Sequence, residues 1–411
     1  MPSTHPNKPA NPTDAQLAER FRPVFARISE GAIQRENQRA LAYEPVQWLR
    51  EAGFGALRVP AALGGLGASV EQWFDLLIDL GEADSNLPQI FRAHFGFIER
   101  LYAEIDPGLQ TQWLRRAGEG VVYGNATTER GEGALGTLNT TLTPLNGAWV
   151  LNGEKFYSTG TLYADWIAVS AQRLDGSGQS SRVIALLPKA AEGVRCDDDW
   201  SGFGQRLSAS GSTHFENALV DAGHVLSYPR DRATPMTAYF QLIHLATLAG
   251  IARAIERDAV DFVRKRKRVY SHGSGGTAAD DPLVQQVIGQ LASAAFAATA
   301  VVRSAAQPLG DIDRLRQAGQ PIPESLIIEA ELRTAKAHPV VADLVLNAAT
   351  HLFDVGGASA LQEDLRLDRH WRNARTLASH NPSIYKSRLV GDHAINNTRP
   401  SFYWSVGTTG G

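Results

Sequence analysis

The residues best suited to chemistry gather near the C-terminus, where Asp368 to Lys386 reads DRHWRNARTLASHNPSIYK. Arg and His on an aromatic frame are followed by a His-Asn-Pro turn. No Asp or Glu lies between Asp368 and Asp392, so this stretch carries no carboxylate base. His380 is the leading candidate for proton work, because imidazole holds or releases a proton near neutral pH. The plain alternative is a surface histidine before Asn381-Pro382, and with 11 histidines in the chain most must be structural.

Other stretches invite a flat polar ligand. In GNATTERG, from Gly124, the short side chains of Asn125, Thr127 and Thr128 suit the oxygen and N–H edge of a heteroaromatic ring. A turn satisfying its own backbone reads equally well. In GEKFYSTG, Phe156 and Tyr157 offer rings to pack against, and Ser158 offers a donor beside them. His94 in RAHFGF is either a second proton donor or a buried, hydrogen-bonded core residue. Trp200, before GFGQR, either closes over a ligand or packs between domains. The run RKRKR ends at Arg268. It is a solvated face or a phosphate site, since the Arg fork matches phosphate oxygens. Gly356 and Gly357 permit a close backbone approach to a ligand.

These residues need a frame. The first third is helical: Leu17, Phe21, Phe25 and Ile28 share one helix face, although Pro23 breaks into the pattern. Ser69 with Gln72 forms a capping box for the helix of Trp73, Phe74, Leu77 and Leu80. From Val121 the chain turns to Gly, Thr, Ser and Val, with turn pairs Asn146-Gly147, Asn152-Gly153 and Asp175-Gly176. Helical periodicity returns near Pro235, with helix starts at Pro282 and Pro323. The expectation is an α+β chain: an N-terminal helical domain over 1–120, a β-barrel-like middle domain over 121–234, and a C-terminal four-helix bundle over 235–411.

Composition sets further bounds. At 411 residues, 43% hydrophobic and 20% charged, with a formal net charge of -3, the chain reads as globular and shows no basic signature of a nucleic-acid partner. One cysteine, Cys196, leaves no internal disulfide and suits a cytoplasmic location. The N-terminal MPSTHPNKPANPTD reads as a flexible leader, and no apolar run is expected to span a bilayer. There is no GxGxxG opening a βαβ unit, no P-loop and no metal-ligand spacing; Asp197-Asp198-Asp199 reads as a solvated turn.

The order helices, strands, helices, together with GEKFYSTG, DDWSGFGQR, ASGS, QLIHLATLAGIARA and DRHWRNART, resembles the acyl-CoA dehydrogenase superfamily from about Ala15 to Asn397. Within it the chain resembles the group D flavin monooxygenases, and there the sulfur-acquisition oxidoreductases and dibenzothiophene monooxygenases. The resemblance implies a flavin, FMN or alternatively FAD, that arrives reduced from a separate NAD(P)H-dependent reductase. It implies O2 as co-substrate, a C4a-hydroperoxide of the flavin, and a small apolar, organosulfur substrate. It further implies a homotetramer. Asn125, Thr127 and Thr128 would face the isoalloxazine, with Phe156 and Tyr157 packed on it and Ser158 by its oxygen-reacting side. His380 would manage the peroxide proton and His94 would point to the substrate. Arg268 would hold the flavin phosphate, with Arg266 as alternative, and the loop of Gly356 and Gly357 would reach a neighbouring subunit's cofactor. Many relatives carry a second His where this chain has Leu377. The alternatives are an acyl-CoA dehydrogenase with FAD, for which the base is missing from its usual windows, and a flavin-dependent N-hydroxylase.

Overall fold

The computed structural model describes residues 11–104, 106–130, 137–174, 180–228 and 232–403. Helix α1 (Asp14–Glu30) starts inside the stretch expected to be a leader. Thr13 caps it, accepting from the Gln16 N–H, while Gln16 accepts from the Thr13 N–H. The helix runs through Pro23 unbroken, because Leu17, Phe21, Phe25 and Ile28 all bury their side chains in the core. Short helices α2 (Ala32–Gln38) and α3 (Tyr43–Glu51) lead to α4 (Val70–Ala83), α5 (Asn86–Leu101) and α6 (Pro107–Gly118). The capping box of Ser69 and Gln72 opens α4 as expected.

The middle of the chain forms one mixed 8-stranded sheet in the order β6-β7-β3-β2-β4-β5-β8, with β1 (Tyr123–Ala126) pairing in parallel with β4 (Trp166–Leu174). The remaining strands are β2 (Thr141–Leu145), β3 (Ala148–Lys155), β5 (Ser180–Pro188), β6 (Val194–Cys196), β7 (Thr213–Val220) and β8 (Val225–Ser227). Alternation along these strands sends Leu151, Ile167, Val169, Val183 and Phe215 into a core of the sheet's own. The expected Asp175-Gly176 turn lies outside the described residues.

The chain then returns to helices: α7 (Met236–Lys265), α8 (Pro282–Gln317), α9 (Glu324–His351), α10 (Asp368–Ala378) and α11 (Ile384–Asn396). Helix α7 is the central rod, and α4 crosses it at near backbone contact. A Cβ on Gly250 would lie 2.5 Å from the Ile78 carbonyl oxygen, so glycine there lets the N-terminal helices and the bundle share one apolar core. A buried ion-pair network reinforces that joint: Arg58 pairs with Glu99 at 2.9 Å and with Asp313 at 3.0 Å.

By length and composition alone, α7 and α8 are each apolar enough to cross a membrane, contrary to the expectation from the sequence. In this fold α7 is instead the core of the bundle, with 89% of its most apolar window buried. Helix α8 packs a stripe of Leu291, Ala295, Ala298, Val302 and Leu309 inward.

Candidate functional site

A cavity of about 750 Å³ opens where the sheet meets α5, α7 and the turn after α10. Its sheet wall carries Asn125, Thr127, Thr128, Tyr157, Thr159 and Ser210. The Thr127 hydroxyl donates to Asn125 Oδ1 at 2.8 Å, which fixes the amide and turns its N–H2 away from that contact. Thr159 and Ser210 share a hydroxyl hydrogen bond of 2.8 Å, and Ser210 shares another with Ser208 at the same distance. The strand end is strained here. Tyr157 adopts a left-handed φ of 56°, which costs a non-glycine residue about 1–2 kcal/mol and is characteristic of sites where the surroundings over-determine the backbone. Its ring meets Phe156 at 4.3 Å and Trp200 at 5.9 Å between centroids. Trp200 is pinned in turn, its indole N–H donating to the Gly204 carbonyl at 3.1 Å.

Helix α10 delivers the opposite wall. Arg369 and His370 both reach Asp258 on α7, the latter at 2.9 Å. Arg372 pairs with Glu36 at 2.8 Å, and Asn373 accepts from the Gln205 N–H at 2.6 Å. The Arg and His cluster that stood out in the sequence is therefore a clamp joining bundle, N-terminal helices and sheet. What it positions is His380, just past the helix end, which lines the cavity. His380 is exposed to the cavity. Burial first, and then the positive charge of Arg92, push its pKa down to about 3. Its ring lies 4.3 Å, centroid to centroid, from that of His244, whose Nε2 shares a 2.9 Å hydrogen bond with Gln89 Oε1. The lowered pKa favours the neutral imidazole, which is both a hydrogen-bond donor and an acceptor.

Several sequence-expected residues stand elsewhere. His94 is fully buried and off the cavity. Gln89 and Arg92 on the same helix do line it; His94 follows Arg92 by two positions and so projects about 200° around the helix. Both its nitrogens are used: Nδ1 accepts from the Tyr123 N–H at 3.2 Å, and Nε2 meets the Gly55 carbonyl at 2.7 Å. It is a core bracket between α5 and the first strand. Ser158 sits behind the wall, between Tyr157 and Thr159, and its buried hydroxyl has no hydrogen-bond partner among the described residues. Phe156 is also behind the wall, under the guanidinium of Arg130 at 3.0 Å. Arg268 is exposed after the end of α7, and Gly356 packs near Phe262; neither they nor Gly357 line this chain's cavity.

The cavity wall does contain carboxylates, which the C-terminal windows did not suggest. Glu129 is held by Lys155 at 2.6 Å and by the N–H groups of Asn139 and Thr140. Burial works to raise its pKa, and these donors outweigh it and lower it. Glu104 accepts from the Ser227 hydroxyl at 3.4 Å. Behind the floor, burial pushes Glu331 up to about 7, and it is held by the Thr237 hydroxyl and the Ala238 N–H.

Residues 124–218 match the model of the acyl-CoA dehydrogenase middle domain, and residues 242–382 match that of the acyl-CoA dehydrogenase C-terminal domain. The chain is 28% identical to the probable FMNH2-dependent monooxygenase SfnC of Pseudomonas putida, over 97% of this chain and 100% of that one. The FMN-bound structure of TdsC from Paenibacillus sp. A11-2, a dibenzothiophene monooxygenase, superposes with a TM-score of 0.85 at 27% identity, covering 94% of this chain and 99% of that one. Methanesulfinate monooxygenase MsuC from Pseudomonas fluorescens superposes with a TM-score of 0.84 at 26% identity, covering 93% and 97%. With both domain models matched in order and the whole architecture shared, the chain belongs to the acyl-CoA dehydrogenase superfamily.

Proposed function

We propose that this protein is a two-component flavin-dependent monooxygenase that uses reduced FMN and O2 to oxygenate a small organosulfur compound. The observation that carries the reading is the pairing of a neutral His380 on the cavity with wall carboxylates already held by protein donors. A dehydrogenase needs a free carboxylate to take a proton beside a thioester, and a positioned base is worth roughly 10²–10⁴-fold in rate. A monooxygenase needs hydrogen-bonding groups around oxygen and no such base.

The residues present fit FMN. The sheet wall offers an amide and hydroxyls at one level, with Tyr157 and Trp200 as aromatic cover. Asn125, Thr127 and Thr128 would hold the ring edge. Arg268, with the loop of Gly356 and Gly357, would serve the cofactor of a neighbouring copy in a homotetramer. Reduced FMN, when bound, supplies two electrons to O2. The chain's own part is to exclude bulk water, to orient the ring, and to give a developing oxygen anion the N–H of His380. A separate NAD(P)H-dependent reductase would deliver the reduced flavin.

The test is oxygen-isotope labelling. Protein loaded anaerobically with reduced FMN is mixed with ¹⁸O2 and an organosulfur compound, and one labelled atom is expected in the product. Reduction of bound oxidised flavin by an acyl-CoA without O2, with no labelled product, would move the protein to the dehydrogenases.

A further inference from the structure

The relatives span a neutral aromatic substrate and a small anion, and the cavity of this chain discriminates between them. Arg92 on α5 lines the cavity and is only 8% exposed. Its Nε donates to the Phe240 carbonyl at 3.1 Å, and its guanidinium lies 4.8 Å from the centre of the Phe240 ring. Phe240 reaches that position because residue 96 is glycine: a Cβ there would stand 2.0 Å from the ring. So the side chain is held rigidly from one edge. Its two terminal nitrogens have no protein acceptor among the described residues, and no salt bridge is formed with any of their carboxylates. Burial lowers its pKa to about 9, with no carboxylate acting against that shift, so the group remains charged at neutral pH.

A buried charge without a partner is costly unless a ligand supplies the partner. The groups around Arg92 do not: Gln89, His244 and His380 are neutral, and both histidines are kept so partly by Arg92 itself. The contrast with the other wall cations is informative. Arg100 and Arg182 are half-buried and Arg130, Arg232 and Arg375 are exposed, so water solvates their charge, whereas Arg92 is buried.

We propose that Arg92 binds an anionic oxyacid group of the substrate, and that the substrate is a small sulfinate. This rests on the monooxygenase reading and narrows its organosulfur class, replacing the apolar substrate expected from the sequence. A sulfinate carries two oxygens that match the fork of a guanidinium and a sulfur lone pair that can be oxidised. The reaction balances. The sulfur lone pair forms one new S–O bond, the O–O bond breaks, and the second oxygen leaves as water with two protons. Reduced flavin supplies those protons and both electrons, so sulfinate becomes sulfonate. His380 lines the same cavity as Arg92 and would face the bound sulfinate.

The binding test uses flavin-free full-length protein and unreactive probes. Methanesulfonate and the neutral dimethyl sulfone are titrated separately by calorimetry. Wild type is expected to prefer the sulfonate at least tenfold, Arg92→Gln to lose that preference, and Arg92→Lys to keep part of it. Equal affinity of wild type for the two probes overturns the proposal without any variant. A preference that survives in folded Arg92→Gln overturns it as well, and a selective loss of reduced-FMN affinity in that variant would assign Arg92 to the cofactor phosphate instead. In turnover, Arg92→Gln should raise KM for methanesulfinate at least tenfold. Because the binding arm contains no flavin, its outcome is independent of the isotope test of the monooxygenase reading.

Discussion

Two histidines in this molecule both have lowered pKa values, yet they stand in opposite situations, His94 fully buried and His380 exposed to the cavity. His94 spends each ring nitrogen on backbone, joining Gly55 to Tyr123. His380 faces open space, with His244 at its side and Arg92 nearby. A depressed pKa is therefore no guide to role, since burial depresses both. What separates them is whether the protein has already used their hydrogen-bonding capacity. A ring whose partners are all backbone is architecture; a ring with an unspent edge on a cavity is available to a ligand.

The sharpest way to break this contrast is to remove each ring in turn. His380→Ala is expected to lower product formation at least ~10²-fold, in the range of a lost proton-handling group, while reduced-FMN affinity and thermal stability stay near wild type. Unchanged turnover would take His380 out of the mechanism. His94→Ala is expected to do the reverse. It strands the Tyr123 N–H and the Gly55 carbonyl in the core, at roughly 1–3 kcal/mol each, so denaturant unfolding should show a loss of about 2–4 kcal/mol. Activity per folded molecule should be retained.

Acid sharpens the same comparison. The folded pKa of His94 is about 4, below its ordinary 6.5, with burial as the main cause. The unfolded chain therefore takes up the proton first, and stability is lost as pH falls from about 6.5 towards 4. The imidazole must stay neutral because its Nδ1 accepts from Tyr123. At 1.36 kcal/mol per pKa unit, the His94 share between pH 7 and pH 5 is roughly 2 kcal/mol. His370 and His338 are also pushed to about 4, so wild type loses more than this. The difference between wild type and His94→Gln isolates the share of His94, and equal slopes would remove it from the acid response.

How much of this could be read from residue order follows from where the partners come from. The capping box at Ser69 and the stripe of Leu17, Phe21, Phe25 and Ile28 are local patterns, and they folded as read. Pro23 looked like a break and was not, since a buried face overrides one missing hydrogen bond. The partners of His94 lie 39 and 29 residues away, so nothing near it in the chain reveals that its nitrogens are spent. Arg92 was overlooked although a signal was present: a cation in the mostly apolar run LPQIFRAHFGF, three positions after Gln89, and hence on the same helix face. The Arg and His cluster of α10 drew attention as chemistry and proved to be the clamp behind His380, because its carboxylates, Asp258 and Glu36, come from distant helices.

Arg268 extends the comparison between spent and unspent groups beyond one chain. It is exposed and absent from this chain's cavity, so its assignment to the flavin phosphate requires a second copy. Arg268→Ala is then expected to weaken reduced-FMN affinity about tenfold, equivalent to ~1.4 kcal/mol, the smallest of the effects argued here. Affinity alone does not locate the donor subunit, but mixing does. If Asn125 comes from one copy and Arg268 from its neighbour, then hybrids of Arg268→Ala and Asn125→Ala subunits contain some sites with both residues intact. Those hybrids should recover part of the FMN affinity that each parent variant lacks. If both residues served the same chain's cofactor, every site in the hybrid would carry one defect, and mixing would restore nothing.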